Sequence, residues 1–210
     1  MNALIIDVET TTSNKGNPFD KSNRLCYVGT HNYDSNNIFC IESSSSPYVD
    51  NLNTIQQLIN ESDLLVGFNI KFDLHWLRRY GVTFTGKRIW DCQLVEFILG
   101  GQSNPYPSLD SSCERYQLGS KLDVVKEYWD AGIDTPDIPE YVLVEYLEKD
   151  LELTDKLFGK QYDEVMSRSK EFTRLISLHN QDLIVLEEME YNGLLFDEGR
   201  SQELSDGLSR

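Results

Sequence analysis

An α/β fold is what this sequence predicts, and three observations carry that reading. The chain opens on four apolar residues, Ala3-Leu4-Ile5-Ile6, with the length and composition of a strand buried on both faces. A helical pattern starting at Asp50 runs into the short apolar stretch Leu64-Leu65-Val66-Gly67, the order of an α/β crossover. Two long helical patterns without internal breakers close the chain, whose 210 residues suffice for one domain with a sizeable core and a short appendage.

Taken in order, Asp7-Val8-Glu9-Thr10 extends the first strand and puts Asp7 and Glu9 on one face, two residues apart. Residues 11–22, with Asn14, Gly16, Asn17 and Pro18, read as a polar loop. Residues 25–31 and 38–41 are expected as strands joined by a turn at Asp34-Ser35-Asn36-Asn37, which makes a meander with the first strand. The serines of 43–46 with Pro47 read as a short exposed loop. Leu52, Ile55, Leu58 and Ile59 recur at helical spacing, and Phe72, Trp76, Leu77 and Tyr80 mark a second amphipathic helix that stops at Gly81. Residues 89–91 are a last short strand, followed by a helix through Leu94, Val95 and Ile98 to Gly100-Gly101. Residues 100–107 read as loop, and 109–122 as short helices. Asp137, Pro139 and Glu140 start a helix with a cap and a first-turn proline. Its stripe, Leu143, Leu147, Leu151 and Phe158, runs to about Met166. Leu175, Leu178, Leu183, Leu186 and Met189 line the next helix, which closes at Asn192-Gly193.

The balance of 19 basic against 35 acidic residues gives a net charge of −16, which opposes broad binding to nucleic acid or to an acidic membrane. Any nucleic-acid contact must then be local, through metals or a few side chains. Cys26, Cys40, Cys92 and Cys113 form no C-x-x-C and read as free thiols of a reducing compartment. No signal peptide precedes Asp7 and no apolar run approaches a membrane span, so an intracellular, cytoplasmic protein without membrane association is expected, in the host cytoplasm if the chain is a phage's.

Paired carboxylates at the end of a buried strand repel each other and call for a cation between them, most economically a divalent metal. In a chain with 35 acidic residues and a second D-x-E at Asp150 and Glu152, the pair taken alone favours the plain reading of solvated acids over a metal site. Gly67-Phe68-Asn69-Ile70-Lys71-Phe72-Asp73 lies at a strand-to-helix junction, where α/β proteins collect ligands. Asn69 there is a candidate helix cap and Asp73 falls one turn on, either functional or simply solvated. Tyr146 and Asp150 share a helix face beside the Leu143-Leu147-Leu151 stripe, which places Asp150 at the border of the core; a core tyrosine with its hydroxyl at the rim is the plain alternative for Tyr146. The Y-x3-D at Tyr106 and Asp110 lies in a proline-flanked loop and need not converge.

The order of these motifs, D-x-E, then N-x3-D, then Y-x3-D, resembles the DEDDy class of 3′–5′ exonucleases, in particular the proofreading domain of family A DNA polymerases of phage or bacterial type. The resemblance covers about residues 1–165 and extends to Trp90-Asp91-Cys92-Gln93-Leu94 and Asp150-Leu151-Glu152-Leu153-Thr154. It implies an RNase H-like fold with a five-stranded mixed sheet flanked by helices. It further implies two divalent ions, Mg²⁺ or Mn²⁺, with Asp7, Glu9 and Asp150 holding the first, Asp7 touching the second, and Asp73 holding the second directly or through water. Tyr146 would position the attacking water, and Thr10 and Asn69 would contact substrate. The implied activity is hydrolysis of the terminal phosphodiester at a single-stranded DNA 3′ end, releasing nucleoside 5′-monophosphates as proofreading for a polymerase. Leu186 to Asp197 resembles the stretch that opens a polymerase region, so the expected division is an exonuclease domain over 1–165 and a helical segment over 166–210, with a covalently linked polymerase region as a partner absent from this chain.

Some features depart from that family or stay open. Where family A members often carry a wedging leucine after the first motif, this chain has Thr11-Thr12-Ser13. None of His31, His75 and His179 has an aspartate five residues on, which excludes the histidine variant of the third motif; His75 reads as a surface or structural residue. Lys71 either reaches a phosphate or is solvated. The alternatives to proofreading are a standalone DEDDy exonuclease that trims RNA and a catalytically inactive nucleic-acid or partner-binding domain.

Overall fold

The apolar opening run and the two acidic residues beyond it form one strand, β1 (Ala3–Thr10). In the computed structural model, which describes residues 2–32, 35–43, 46–47 and 49–208, this strand is the middle of a five-stranded sheet. β2 (Leu25–Asn32) pairs with it antiparallel, and β3 (Ser35–Cys40) pairs antiparallel with β2. The two-residue strands β4 (Glu42–Ser43) and β5 (Ser46–Pro47) pair with each other where a plain loop was expected. Helix α1 (Val49–Glu61) then crosses to β6 (Leu64–Gly67), which runs parallel to β1. Helix α2 (Ile70–Arg79) leads to β7 (Arg88–Asp91), parallel to β6, and the order across the sheet is β3-β2-β1-β6-β7. This is the mixed five-stranded sheet flanked by helices that the RNase H-like expectation requires.

The remaining chain is helical: α3 (Cys92–Leu99), α4 (Leu109–Arg115), α5 (Val124–Asp130), α6 (Glu140–Ser167), α7 (Lys170–Asn192) and α8 (Glu198–Leu208). The expected turn at 34–37 does not hold over residues 35–37, which belong to β3; Asp34 lies outside the described residues. Ser35, Asn36 and Asn37 pair with Asn32, His31 and Thr30, and the ladder with β2 outweighs their turn preference. Pro139 sits at the cap position of α6 rather than in its first turn, and the aspartate that caps locally is Asp134, in front of a 3₁₀ turn. None of the four cysteines is in a disulfide, as their thiol reading expected. Among the described residues no helix is long and apolar enough to cross a membrane.

Alternation along β1 decides what each face of the sheet buries. Leu4, Ile6 and Val8 join Ile55 and Ile59 of α1 and Ile70, Leu74, Trp76 and Leu77 of α2 in one cluster. Ile5 joins Val66, Trp90 and, from α6, Leu151, Leu153 and Leu157 in the opposite one. Asp7 and Glu9 continue the face of Ile5, so they point toward α6. Gly29, the partner of Asp7 across the β1–β2 pair, lets that helix approach: a Cβ there would lie 2.8 Å from Leu147 Cγ and 2.9 Å from Leu151 Cδ1.

Helix α7 is fastened to α2 and β7. Glu187, fully buried, takes both arms of Arg78 (2.7 and 2.5 Å), and His75 stands between Glu187 and Glu190. The Asn180 side-chain oxygen accepts from the backbone of Asp91 at 2.7 Å. His75 is therefore a buried structural residue, and Lys71 is committed to Glu190 at 2.6 Å. Of the α7 stripe, Leu183 packs against the core, whereas Leu175, Leu178, Leu186 and Met189 are exposed. Leu194, Leu195 and Phe196 beyond it are exposed as well, and α8 buries nothing.

Candidate active site

Three elements deliver four carboxylates and a phenol to the carboxyl end of β1. Asp7 and Glu9 come from the strand, Asp73 from α2, and Tyr146 and Asp150 from successive turns of α6. Glu9, Asp73, Tyr146 and Asp150 are buried, and Asp7 is half-buried. Asp73 is not the solvated residue its position allowed: its Oδ1 accepts from the backbone N–H of Val8 at 3.0 Å, so it is pinned to the strand between Asp7 and Glu9.

Burial and mutual repulsion shape the charges here. Burial, reinforced by the negative charge of Asp150, pushes the Asp7 carboxyl up to about 7. Burial, then Asp7 and Asp150, hold Glu9 well above the usual carboxylate range. Burial and Asp7 do the same to Asp73. Burial also raises Asp150, against the pull of the Lys121 ammonium. The Tyr146 phenol is raised by burial and by Glu9 and Asp150. Each carboxylate thus feels at least one other, which is the signature of acids forced together in low dielectric.

Lys121 was not singled out by the sequence. It lies in the irregular stretch between α4 and α5, and its Nζ stands 2.5 Å from Asp150 Oδ2 and donates to Tyr146 Oη at 3.0 Å. Burial alone would lower its pKa, but the adjoining Asp150 and Tyr146 more than reverse that. Asp110 accepts from the backbone N–H of Lys121 at 2.8 Å. Tyr106, the other half of that second Y-x3-D, is 83% exposed and far from convergence on anything.

Asn69 occupies the cap position of α2 in the left-handed region, φ 62°, where its side chain makes no capping bond. Asparagine tolerates that conformation, but it turns the amide away from the helix end, so the expected cap is corrected to a backbone role. Its N–H donates to Asp91 Oδ1 (3.2 Å), which also accepts from Gln93 and Leu94 and so joins the starts of α2 and α3. Thr10 is buried with its hydroxyl donating to the Thr11 carbonyl at 3.1 Å.

Glu9 and Thr10 line an open groove together with Lys15, Gly16, Phe72 and Trp129. Trp129 meets the Tyr146 ring edge-on, centroids 6.3 Å apart, and donates to Thr135 Oγ1 at 3.1 Å. The loop after β1 that walls the groove is tied down: Trp76 donates to the Gly16 carbonyl, and Arg79 to those of Pro18, Asp20 and Asn23. Phe72 was legible inside the Gly67–Asp73 stretch, whereas Trp129, on a helix the sequence did not announce, was not.

The donors fit a hard divalent cation. All are carboxylate oxygens, and Asp150 Oδ1 is buried with no hydrogen-bond partner, an acceptor aimed where a cation would satisfy it. Among the described residues no three of these groups are already drawn together around one point. Val8 engages Asp73 and Lys121 engages Asp150, so ion binding would re-aim at least Asp150.

No protein-family profile and no curated protein matches the chain. Solved structures do. Brucella melitensis NrnC with bound Mg²⁺ superposes with a TM-score of 0.69 at 17% identity, over 93% of this chain and 90% of that one. A structure described as the apo form of a nuclease gives 0.58 at 16% identity, over 93% and 89%. The family B DNA polymerase of the hyperthermophilic archaeon Pyrobaculum calidifontis gives 0.56 at 19% identity, over 76% of this chain but 24% of the polymerase. At these identities the likeness is one of fold.

Proposed function

We propose that the protein is a metal-dependent exonuclease that hydrolyses the terminal phosphodiester at a 3′ end and releases nucleoside 5′-monophosphates. One observation carries the reading: β1, α2 and α6 bring Asp7, Glu9, Asp73 and Asp150 together with the hydroxyl-bearing Tyr146 at the carboxyl end of β1, where burial raises the pKa of each acid. Asp7, Glu9 and Asp150 would hold one Mg²⁺ or Mn²⁺, and Asp73 with Asp7 a second. When bound, such ions supply Lewis acidity and an activated water, and neutralise a pocket that would otherwise repel a phosphodiester. The protein's own part is positional. Tyr146 orients the attacking water, Thr10 and the backbone at Asn69 border the substrate, and the Phe72–Trp129 groove offers ring faces to an unstacked terminal base.

Two substrates follow from two supports. The motif order with a tyrosine in the third motif, and the polymerase-like Leu186 to Asp197, support proofreading of a single-stranded DNA 3′ end for a linked polymerase. The superposition over nine-tenths of two nuclease chains, against 24% of a polymerase, favours a standalone exonuclease, with RNA as the substrate to try first. The test is product analysis on matched DNA and RNA oligonucleotides, labelled at either end, with Mg²⁺ or EDTA. Mononucleotide release from the 3′ end with Mg²⁺ alone is expected. Internal cuts would refute exonucleolytic action, and no cleavage with any divalent ion would leave a binding domain.

A further inference from the structure

Building on the metal-dependent reading, we propose that Lys121 is a positioning residue of this site. It is an internal counter-ion that holds Asp150 and Tyr146 together before metal binds, competes with the metal for Asp150, and retains Tyr146 once Asp150 is given up. The contacts are specific: Nζ lies 2.5 Å from Asp150 Oδ2, 3.0 Å from Tyr146 Oη and 5.1 Å from the centre of the Tyr146 ring. The same ammonium acts on Asp7 and Glu9 through space, so it sits where a cation shared by those three acids would act.

Several features make this more than a surface ion pair. The lysine side chain is 25% exposed and that of Asp150 5%, so the pair is poorly screened. Its backbone is fixed by Asp110, just past the turn at Gly119, φ 107°. Asp150 keeps its other oxygen, Oδ1, buried and without a partner, so an ion can gain a first hold before the ammonium lets go. Tyr146 Oη accepts a hydrogen bond from Lys121, so the phenol's own O–H acts as a donor, toward Asp150 in the metal-free site and toward a bound water once Asp150 is given up.

The consequences are distinct from those of a merely structural lysine. Removing the ammonium takes away both a competitor for Asp150 and a like charge beside the ions, so metal should bind more tightly. It also strips the acids of their counter-charge, so the metal-free protein should melt earlier. Tyr146 loses an anchor, so the bond-breaking step should slow with little effect on substrate binding.

The experiment uses the full chain carrying Lys121→Met, which keeps the apolar stem. Mn²⁺ is titrated by calorimetry, melting is followed in EDTA and in Mn²⁺, and cleavage is measured under single turnover. Expected are Mn²⁺ binding about tenfold tighter, as for loss of one opposed charge contact in a partly buried site, a lower melting temperature in EDTA, and a wider gap between EDTA and Mn²⁺. The saturating rate should fall about 10- to 100-fold, with half-saturation within about twofold of wild type. Lys121→Arg should recover part of the rate while binding Mn²⁺ less tightly than Lys121→Met. Unchanged or weaker Mn²⁺ affinity in Lys121→Met overturns the proposal. Should that variant not fold, Lys121→Gln is judged by the same affinity criterion. A wild-type chain that binds no Mn²⁺ would instead fail the metal reading itself, which separates the two outcomes.

Discussion

The buried carboxylates pose a charge problem whether or not a metal is bound. Burial and the neighbouring Asp150 push the Asp7 carboxyl up to about 7, well above an unfolded aspartate near 3.9. Between those values the folded state holds more protons than the unfolded one, so stability falls as pH rises through that window. Metal-free protein should accordingly melt at progressively lower temperature from about pH 4 to about pH 8, and saturating Mn²⁺ should flatten the trend. A flat EDTA profile from calorimetry at several pH values would remove the strain attributed to these acids. Asp7→Ala should abolish measurable cleavage and the Mn²⁺-induced rise in melting temperature, because it removes the ligand proposed to touch both ions. Tyr146→Phe should keep that rise and cost roughly 10²- to 10⁴-fold in single-turnover cleavage, the range for one positioned catalytic group. The acids and the tyrosine were legible because each lies on a regular element whose period fixes its direction. Lys121 was not, since an irregular segment such as 116–123 carries no period from which to infer where a side chain points. Asn69 was half legible: its place at the head of α2 was, its left-handed backbone was not.

At the scale of elements, the site depends on how closely α6 lies over β1 and β2. Gly29 sets that spacing, with Leu147 and Leu151 packed where its side chain would be. Gly29→Ala should push α6 outward at a cost of about 1–3 kcal/mol, typical of overpacking, and should reduce cleavage by carrying Tyr146 and Asp150 away from Asp7. Thermal melting and single-turnover assays of this variant, beside Leu147→Ala, check the argument; a Gly29→Ala protein that melts and cleaves like wild type would show that the close approach is not needed. The strands and the long helices were readable from runs and stripes of apolar residues. Helix α5 was missed because a seven-residue helix buries only Val125 fully, too little to write a period into the sequence. The β4–β5 pair was missed for a related reason, since two-residue strands are too short for alternation.

At the scale of the molecule, the question is what folds as a unit. A division at 165/166 would part α7 from α2 and β7, to which Glu187, Glu190 and Asn180 fasten it. Ending the chain at Asn192 should leave melting temperature and cleavage near wild type, because the exposed residues 194–196 and α8 bury no core surface. Ending it before Lys170 would strand His75 and Arg78 without their carboxylates and uncover Trp90 and the part of the core against which Leu183 and Ile184 pack, so loss of soluble protein is expected. Soluble, active protein from the shorter form would restore 166–210 as a separate segment. The strand that carries Asp7 and Glu9 leaves the ribosome well before its neighbour in the site, α6, which lies more than a hundred residues later in the chain. Asp7 and Glu9 are therefore synthesised long before Lys121, Tyr146 and Asp150, and the group of acids closes only when α6 has emerged and docked over Gly29.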